Sequence, residues 1–500
     1  MHALLQRKIV ARTKSNSARA PFVFASAFAF VFALAALCAF VCPASASADN
    51  SATAKARVGG ATYDNLASAV FAAEPGQTVE LLADVSLSKS LEITKELTLD
   101  LGGHTLSSSE GTIIASASLT VQNGTISSDK WGIWMKAGAA SETEYADDAE
   151  TGSDGGASSA QSGESGASSD SASSGSASSD SRASDSASSG SRASGSDASA
   201  TSATGSNVND KDEDPDSEPI RKSDNASLYI AQDVQITAHL QAAVIIQNES
   251  YAHIYGTLTG PHGLSAIGEC RVFIHDSARL ESNDGHYGLA ATQGAQAIIY
   301  GGSIGGSNSE SGVFVAGNGT SATVLGGTIS GKYGISGLGS SGEGGTRVII
   351  RGGSVQGTTY AGIYNPQKGC VVISGGGVTG ATSAVEMRSG MITVTGGTLT
   401  STAQEYSVSA ATSGITTTGA ALAIAQHTTK NPLEVTIKGG TFTAPVALSE
   451  ANPLGNAKLK FTIAIYGGTF EGEVSVEDAK AFIYDGAFSV EPKEQYMAKN

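Results

Sequence analysis

A six-residue pattern recurs through the second half of this 500-residue chain and constrains its fold more than any other feature. The pattern reads aliphatic, any residue, Gly, Gly, Thr or Ser, and then a large apolar residue. Its copies occupy residues 299–304, 324–329, 350–355, 394–399, 437–442 and 465–470. Units of this kind cannot bury an apolar side alone, so each must stack on its neighbours. The chain is therefore predicted to be a repeat protein.

Degenerate copies extend the pattern, and its last position returns at steps of 21 to 26 residues. No helical period is present, and glycine suits tight corners because it adopts positive φ without strain. Short strands separated by such corners would pair in a parallel ladder from one unit to the next. We predict an all-β parallel solenoid of roughly 14 coils, with two or three strands per coil. The last position of the pattern is held by Ile236, Leu258, Leu280, Ile304, Ile329, Val355, Val378 and Leu399.

Alternation in the strand before each glycine pair predicts which side chains fill the interior. Residues between the inward positions, such as Phe273, Ile298 and Ile349, are predicted to point outwards. The predicted inward residues are Val272, Ile274, Ala297, Ile299, Val348, Ile350, Val371, Ile373, Ile392, Val394, Val435 and Ile437.

Residues 63–106 precede the clear repeats and read YDNLASAVFAAEPGQTVELLADVSLSKSLEITKELTLDLGGHTL. A short amphipathic helix is predicted over residues 65–73, with Asp64 as its N-cap. Its buried side would carry Leu66, Ala69, Val70 and Ala73.

These glycine-pair coils and the 63–106 segment together resemble the pectin-lyase-like superfamily of secreted bacterial proteins. The resemblance implies a right-handed parallel β-helix whose N-terminal end is closed by the short helix. Enzymes of this fold cleave polysaccharides with carboxylates, an arginine or lysine base and often calcium, and none of their sequence motifs is visible here. The resemblance therefore implies a fold and leaves the function open, because one fold hosts many chemistries.

Composition divides the chain further. Basic residues, an apolar run and small residues predict a signal peptide over residues 1–48, the alternative being a retained membrane anchor. Either way the remainder would lie outside the cytoplasm, secreted or at the cell surface. The Ser-, Ala-, Gly- and Asp-rich residues 139–225 are predicted to be a disordered insertion. The other predicted regions are an N-terminal cap with the first coils over 49–138, the main β-helix over 226–490 and a C-terminal tail over 491–500.

Charge and cysteine content exclude several classes of partner. The net charge of −17 argues against nucleic acid and against binding to anionic lipid, so membrane contact is expected only through the N-terminal segment.

Cys270 and Cys370 are predicted to be free thiols, because four coils place them about 19 Å apart and a disulfide needs Cα atoms within about 7 Å. We expect no metal, no cofactor and a monomeric chain.

Candidate catalytic residues are few. A polar cluster on adjacent coils comprises His262, His275, Asp276, Glu281, Asp284 and His286. Within it, His262, His286 and Asp284 could form an acid–base pair or a weak metal site, and aligning Gly263 with Gly288 places His262 beside Tyr287. The alternative is that both histidine turns are polar corners facing solvent.

Aromatic residues flank the small-aliphatic element that follows each glycine pair, and they suit sugar rings or a protein surface. The row is interrupted by Ser265, Ala290 and Ser336, and its members could equally be incidental aromatics in strands. The candidate ligand-binding residues are Trp131, Trp134, Tyr287, Phe314, Tyr333 and Tyr364.

Since catalytic motifs are missing, we expect a secreted or surface-displayed, non-catalytic module that binds a glycan or a host protein. One alternative is a divergent polysaccharide lyase or glycoside hydrolase acting on an outer face. A second alternative is a passive stalk.

Overall fold

The computed structural model describes residues 54–137, 226–339 and 345–499, which wind into a parallel β-solenoid of about 13 turns. Each strand pairs in parallel with its counterparts one turn away, as where Ile329 lies between Ile304 and Val355. The fold class predicted from the glycine-pair repeat is therefore confirmed. The predicted signal peptide and the predicted insertion lie outside the described residues.

Three strands per turn build three walls of parallel sheet, named walls 1, 2 and 3 in chain order. Wall 1 contains Thr78–Leu81, Leu97–Asp100, Leu119–Gln122, Ser227–Ile230, Tyr251–Ile254, Arg271–Ile274, Gln296–Ile299, Ser321–Val324, Thr346–Ile350, Gly369–Ile373, Gly390–Val394 and Leu433–Ile437. Wall 2 contains Val85–Leu87, Thr105–Ser108, Gly124–Ser128, Val234–Ala238, Ser303–Gly305, Thr328–Gly331, Ser354–Gly357, Gly377–Gly380 and Thr398–Ser401. Wall 3 contains Leu91–Ile93, Ile113–Ala115, Ile133–Lys136, Val244–Gln247, Ser311–Ala316, Tyr333–Ser336, Ile363–Asn365, Ser383–Met387 and Ala420–Ile424. Longer strands turn a corner and serve more than one wall, namely Thr257–Ile267, Arg279–Thr292, Thr441–Glu450, Phe461–Val476 and Ile483–Phe488.

The interior is filled by apolar columns that run behind the walls, two of them behind wall 1. Every inward residue predicted for wall 1 has between 0% and 3% of its surface exposed, whereas the outward Phe273, Ile298 and Ile349 are half-buried. The predicted alternation is therefore confirmed. Burying one such aliphatic side chain stabilises the fold by about 1.5–3 kcal/mol, so these columns hold the coils together.

Glycine is required where successive corners touch. At the second position of the glycine pair, Gly327 has φ +80°, and a Cβ atom there would lie 2.6 Å from the carbonyl carbon of Gly301 one turn earlier. Both the backbone conformation and the lack of space exclude a side chain. The close contact between corners of neighbouring turns thus explains why the second position of each pair is glycine.

The N-terminal end is closed by an antiparallel hairpin of Ala56–Val58 and Ala61–Tyr63 and by the helix Leu66–Ala72. The predicted cap was wrong by one residue. Asn65, whose backbone is extended, accepts a hydrogen bond from the Ser68 amide (2.8 Å), whereas Asp64 lies outside the first turn. The predicted buried side, with Leu66, Ala69, Val70 and Ala73, is confirmed.

At the other end, the segment predicted as a tail packs onto the last turn. It contains the 3-10 helix Glu494–Tyr496, and Tyr496 is fully buried. The Tyr496 hydroxyl accepts a hydrogen bond from the Val476 amide (3.1 Å) and donates to the Val476 carbonyl (2.7 Å). Its ring therefore covers the final turn of wall 3.

Two further predictions concern continuity and the cysteines. Strands on either side of residues 138–225 pair directly, since Ile133 lies opposite Val244 and Leu119 opposite Leu228, so the coil register continues past the insertion. Cys270 and Cys370 are free thiols, as predicted. Burial raises the pKa of the Cys270 thiol to about 12, which keeps it protonated.

Candidate functional site

The polar candidates His262, Asp284 and His286 lie at the corner before wall 3. His262 pairs in register with Tyr287, as the glycine alignment predicts, and their rings stack with centroids 5.3 Å apart. The His286 ring also lies 5.3 Å from that of His262, and His286 Nε2 is 3.7 Å from an Asp284 carboxylate oxygen. The structure therefore brings the three candidates together.

Their chemistry is set by burial. Burial is the main cause that lowers the pKa of His262 to about 4. The neighbouring His286 also lowers this pKa, and its effect is larger than the opposing effect of Asp284. His262 is thus neutral near pH 7 and packs as an aromatic ring against Tyr287. A nearby carboxylate, Glu310, is held 2.8 Å from the Lys332 ammonium. Across the described residues, no group of three or more histidine, cysteine or acidic side chains could hold a metal ion.

Aromatic residues on wall 3 and its leading corner form what we call the ring row. Tyr287 stacks on Phe314 of the next turn, with centroids 4.5 Å apart and planes at 7°. Tyr333, one turn further, contacts Tyr360 at 4.8 Å and Tyr364 at 5.4 Å. The ring row comprises His262, Tyr287, Phe314, Tyr333, Tyr360 and Tyr364.

Two positions supply the rings of this row in alternation. At the corner position, the order along successive turns is Tyr287, Ser311, Tyr333, and at the outward wall position it is Ala290, Phe314, Ser336, Tyr364. On the turns of Tyr287, Phe314 and Tyr333, a small residue at one position accompanies a ring at the other. The interruptions predicted at the outward wall position therefore fall on turns whose ring lies at the corner position. The ring row thus spans five successive turns in two stacks, joined by a Ser311–Ser336 hydroxyl hydrogen bond of 2.6 Å.

The tryptophan candidates lie apart from the ring row. Trp131 and Trp134 contact each other edge to face at 5.4 Å, and Trp134 Nε1 donates to Gln247 Oε1 at 2.9 Å. Two turns, carrying Ile245 and Ser265 at the same position, separate Trp134 from the turn of Tyr287. The structure therefore places the six ligand-binding candidates in two groups.

A second aromatic cluster, on the outer face of wall 1, was missed as a unit. His253 Nδ1 lies 3.2 Å from His275 Nε2, and the His275 ring stacks on Tyr255 with centroids 3.9 Å apart. The structure places His275 here and not beside His262. The signal lies in the register, because aromatics recur at one outward position and at the residue after each strand. The cluster comprises Tyr229, His253, Tyr255, Phe273, His275 and Tyr300.

At the Tyr364 end of the ring row, two charged side chains are buried beneath a long surface loop. Glu386 is 0% and Arg388 7% exposed, although both occupy outward positions of the strand Ser383–Met387 or its end. Arg388 Nη1 donates to the Tyr364 hydroxyl at 2.5 Å. Burial raises the pKa of Glu386 to about 7, against the lowering effect of its hydrogen bonds to Thr416 and Thr417.

Over the residues with assigned structure, none of the helices has the length and apolar character needed to cross a bilayer. Comparison of the chain with protein-family models, with curated proteins and with solved structures finds no match.

Proposed function

We propose that this chain is a non-catalytic binding module, exported from the cell, that contacts a glycan through its ring row. On this proposal the solenoid is a pectin-lyase-like β-helix used as a rigid support for an outer wall. A surface protein is the other partner that an exported aromatic wall could bind, and the experiment below separates the two.

The observation that carries the proposal is the extent of the ring row, whose two stacks together cover five successive turns. Tyr287 and Phe314 cover each other's faces at 4.5 Å, so the row presents ring edges and phenol hydroxyls. Burial raises the pKa values of Tyr287 and Tyr333, which keeps both hydroxyls neutral and able to donate and accept hydrogen bonds. Apolar edges beside hydroxyls complement a sugar chain, which also alternates C–H and O–H groups.

The state of the nearby polar residues supports binding more than catalysis. A general base works best with a pKa near the operating pH, and burial holds that of His262 near 4. Hydrolysis of a glycosidic bond requires two free carboxylates facing the same bond. Here Glu281 contacts Arg279 at 3.0 Å and Glu310 contacts Lys332 at 2.8 Å.

The test is a panel of glycans and matrix proteins probed with the chain and with the double variant Phe314→Ser/Tyr333→Ser. Serine already occupies both positions on neighbouring turns, at Ser336 and Ser311, so the variant should fold. We expect at least a tenfold loss of binding.

The matched control is Tyr466→Ser, which removes a half-exposed ring stacked on Tyr484 away from the ring row. Binding by the control should equal that of the unaltered chain. Binding to proteins alone would change the partner class, and no binding to any member of the panel would contradict the proposal.

A further inference from the structure

Residues 402–419, here called the strap, form the long surface loop that buries Glu386 and Arg388. The strap leaves wall 2 after Thr398–Ser401 and rejoins wall 3 at Ala420–Ile424. One turn earlier, residues 381–382 alone join the same register positions, because Gly380 pairs with Ser401 and Ser383 with Ala420. The strap is thus an addition to the coil, folded back by an antiparallel pair of Ser407 with Thr418 and Val408 with Thr417.

Side chains of wall 3 bind the strap mainly at the strap's backbone groups. The Arg388 guanidinium donates to the carbonyl oxygens of Thr412 (2.6 Å) and Gly414 (3.4 Å). The Glu386 carboxylate accepts hydrogen bonds from the amides of Thr416 (3.0 Å) and Thr417 (3.1 Å). One basic side chain therefore binds two carbonyls where the strap bends at residues 412–414, and one acidic side chain binds the two successive amides that follow at Thr416 and Thr417.

The strap has almost no apolar anchor. None of residues 402–415 is buried, and the buried residues at its end are Thr416, Thr417 and Gly419, which carry no large apolar side chain. A further contact is a 2.7 Å hydrogen bond between the hydroxyls of Tyr406 and Ser449. Segments with few buried apolar contacts open locally at a fraction of the free energy of global unfolding. The wall, in contrast, keeps its apolar column whether or not the strap is bound.

We propose that the outer face of wall 3 at Tyr364, Glu386 and Arg388 is a binding site for a peptide segment with the bent backbone of the strap. The strap occupies this site within the chain, and a second peptide occupies it when the strap opens. The site recognises backbone groups, and the strap residues on it are threonine and glycine, with Gly414 at φ +69°, so the favoured partner is a peptide rich in small residues with a glycine at the bend. The Arg388 acceptors are all neutral, namely two carbonyls and the hydroxyls of Tyr364 and Thr428. A carboxylate in the incoming peptide would form a stronger, charge-assisted bond.

The first experiment removes the strap from the full chain by replacing residues 402–419 with Ala-Thr, the dipeptide that joins the same positions one turn earlier. A labelled synthetic peptide of residues 402–419 is titrated by fluorescence anisotropy. We expect saturable binding to the strapless chain, and binding at least tenfold weaker to the intact chain, where the strap competes.

Adding Arg388→Ala to the strapless chain should weaken peptide binding at least tenfold. The matched control is Arg347→Ala, an exposed arginine on wall 1, which should leave it unchanged. A folded strapless chain that does not bind the peptide, or that binds it equally well with Arg388→Ala, would overturn the proposal.

A second measurement uses the unaltered chain and needs no strapless variant to fold. Amide hydrogen exchange at Thr416 and Thr417 should be at least a hundredfold faster than at Val385 and Leu422 in the wall beneath. Equal rates would show that the strap is released only by unfolding, and would also overturn the proposal. The peptide site and the ring row have separate tests, since peptide binding is measured without any glycan and Phe314→Ser/Tyr333→Ser removes none of the hydrogen bonds of Arg388 and Glu386 to the strap.

Discussion

The inner and outer faces of wall 3 are built from alternate residues of the same strands, yet they follow different rules. Along successive turns, the inner position holds Leu289, Val313, Ile335, Ile363 and Val385, all of them aliphatic and buried. The outer position one residue later holds Ala290, Phe314, Ser336, Tyr364 and Glu386. The interior accepts any aliphatic side chain that fills the column, whereas the outer chemistry changes from turn to turn. Specific recognition can therefore vary on this wall without disturbing the fold.

The largest effect should come from the inner face. Ile335→Ala removes a side chain that is 1% exposed, and the resulting cavity should lower the free energy of unfolding by about 2–5 kcal/mol. Chemical denaturation would measure it. Ile335→Val serves as the control and should cost no more than about 1.5 kcal/mol. If both variants lost the same small amount, the interior would not be a packed column.

A second prediction concerns the buried acid on the outer face. Burial raises the pKa of Glu386 from 4.5 to about 7, so the folded state favours the protonated carboxyl. The stability that this protonation contributes is fully present below about pH 4.5 and is lost as the pH rises through 7. The loss should reach at most about 3 kcal/mol.

Denaturation of the unaltered chain and of Glu386→Gln at pH 5 and pH 8 would isolate this contribution. Only the unaltered chain should lose stability through Glu386, and the other titrating groups, His262 included, contribute equally to both proteins. Identical pH dependence in the two would show that Glu386 is solvated and that the strap does not cover it.

A smaller effect is expected in the ring row. Phe314→Ser exchanges a half-buried ring for the residue found one turn later, so it should lose the stacking on Tyr287 and little else. We expect a loss of about 1 kcal/mol by denaturant unfolding. A loss as large as that of Ile335→Ala would mean that the outer face is part of the core, and the contrast between the faces would fail.

The smallest effect should come from the ion pair beside the ring row. Lys332 and Glu310 lie 2.8 Å apart, but both side chains are about 40% exposed and solvent screens their attraction. Lys332→Ala should change the free energy of unfolding by less than about 1 kcal/mol, and less at high salt. A larger change that persists in 1 M salt would contradict a screened surface pair.

Most of the fold could be predicted because its signals are local and repeated. Glycine pairs mark the corners, and two-residue alternation marks the interior, as at Val348 and Ile350. The same alignment correctly placed His262 beside Tyr287. Where a signal is carried by one residue, as in the choice between Asp64 and Asn65 as helix cap, the prediction was wrong by one position.

The strap site could not be predicted, because it depends on contacts between distant residues. In the sequence, Glu386 and Arg388 occupy positions that alternation assigns to solvent, and no neighbouring residue indicates that another segment covers them. Their burial follows from residues 412–417, which lie more than 20 positions further along the chain. Register was the missing information for the wall 1 cluster as well, since His253, His275 and Tyr255 become neighbours only when turns are stacked.

Two successive corners between walls 2 and 3 differ greatly in length, yet the strands on either side keep the same register. Two residues suffice between Gly380 and Ser383, whereas eighteen residues (402–419) connect the equivalent positions one turn later, and the ladders on both sides stay aligned. A foreign segment grafted at residues 381–382 should therefore be displayed on the same surface without shifting any strand, which makes each corner an independent place at which such a chain can gain a new loop.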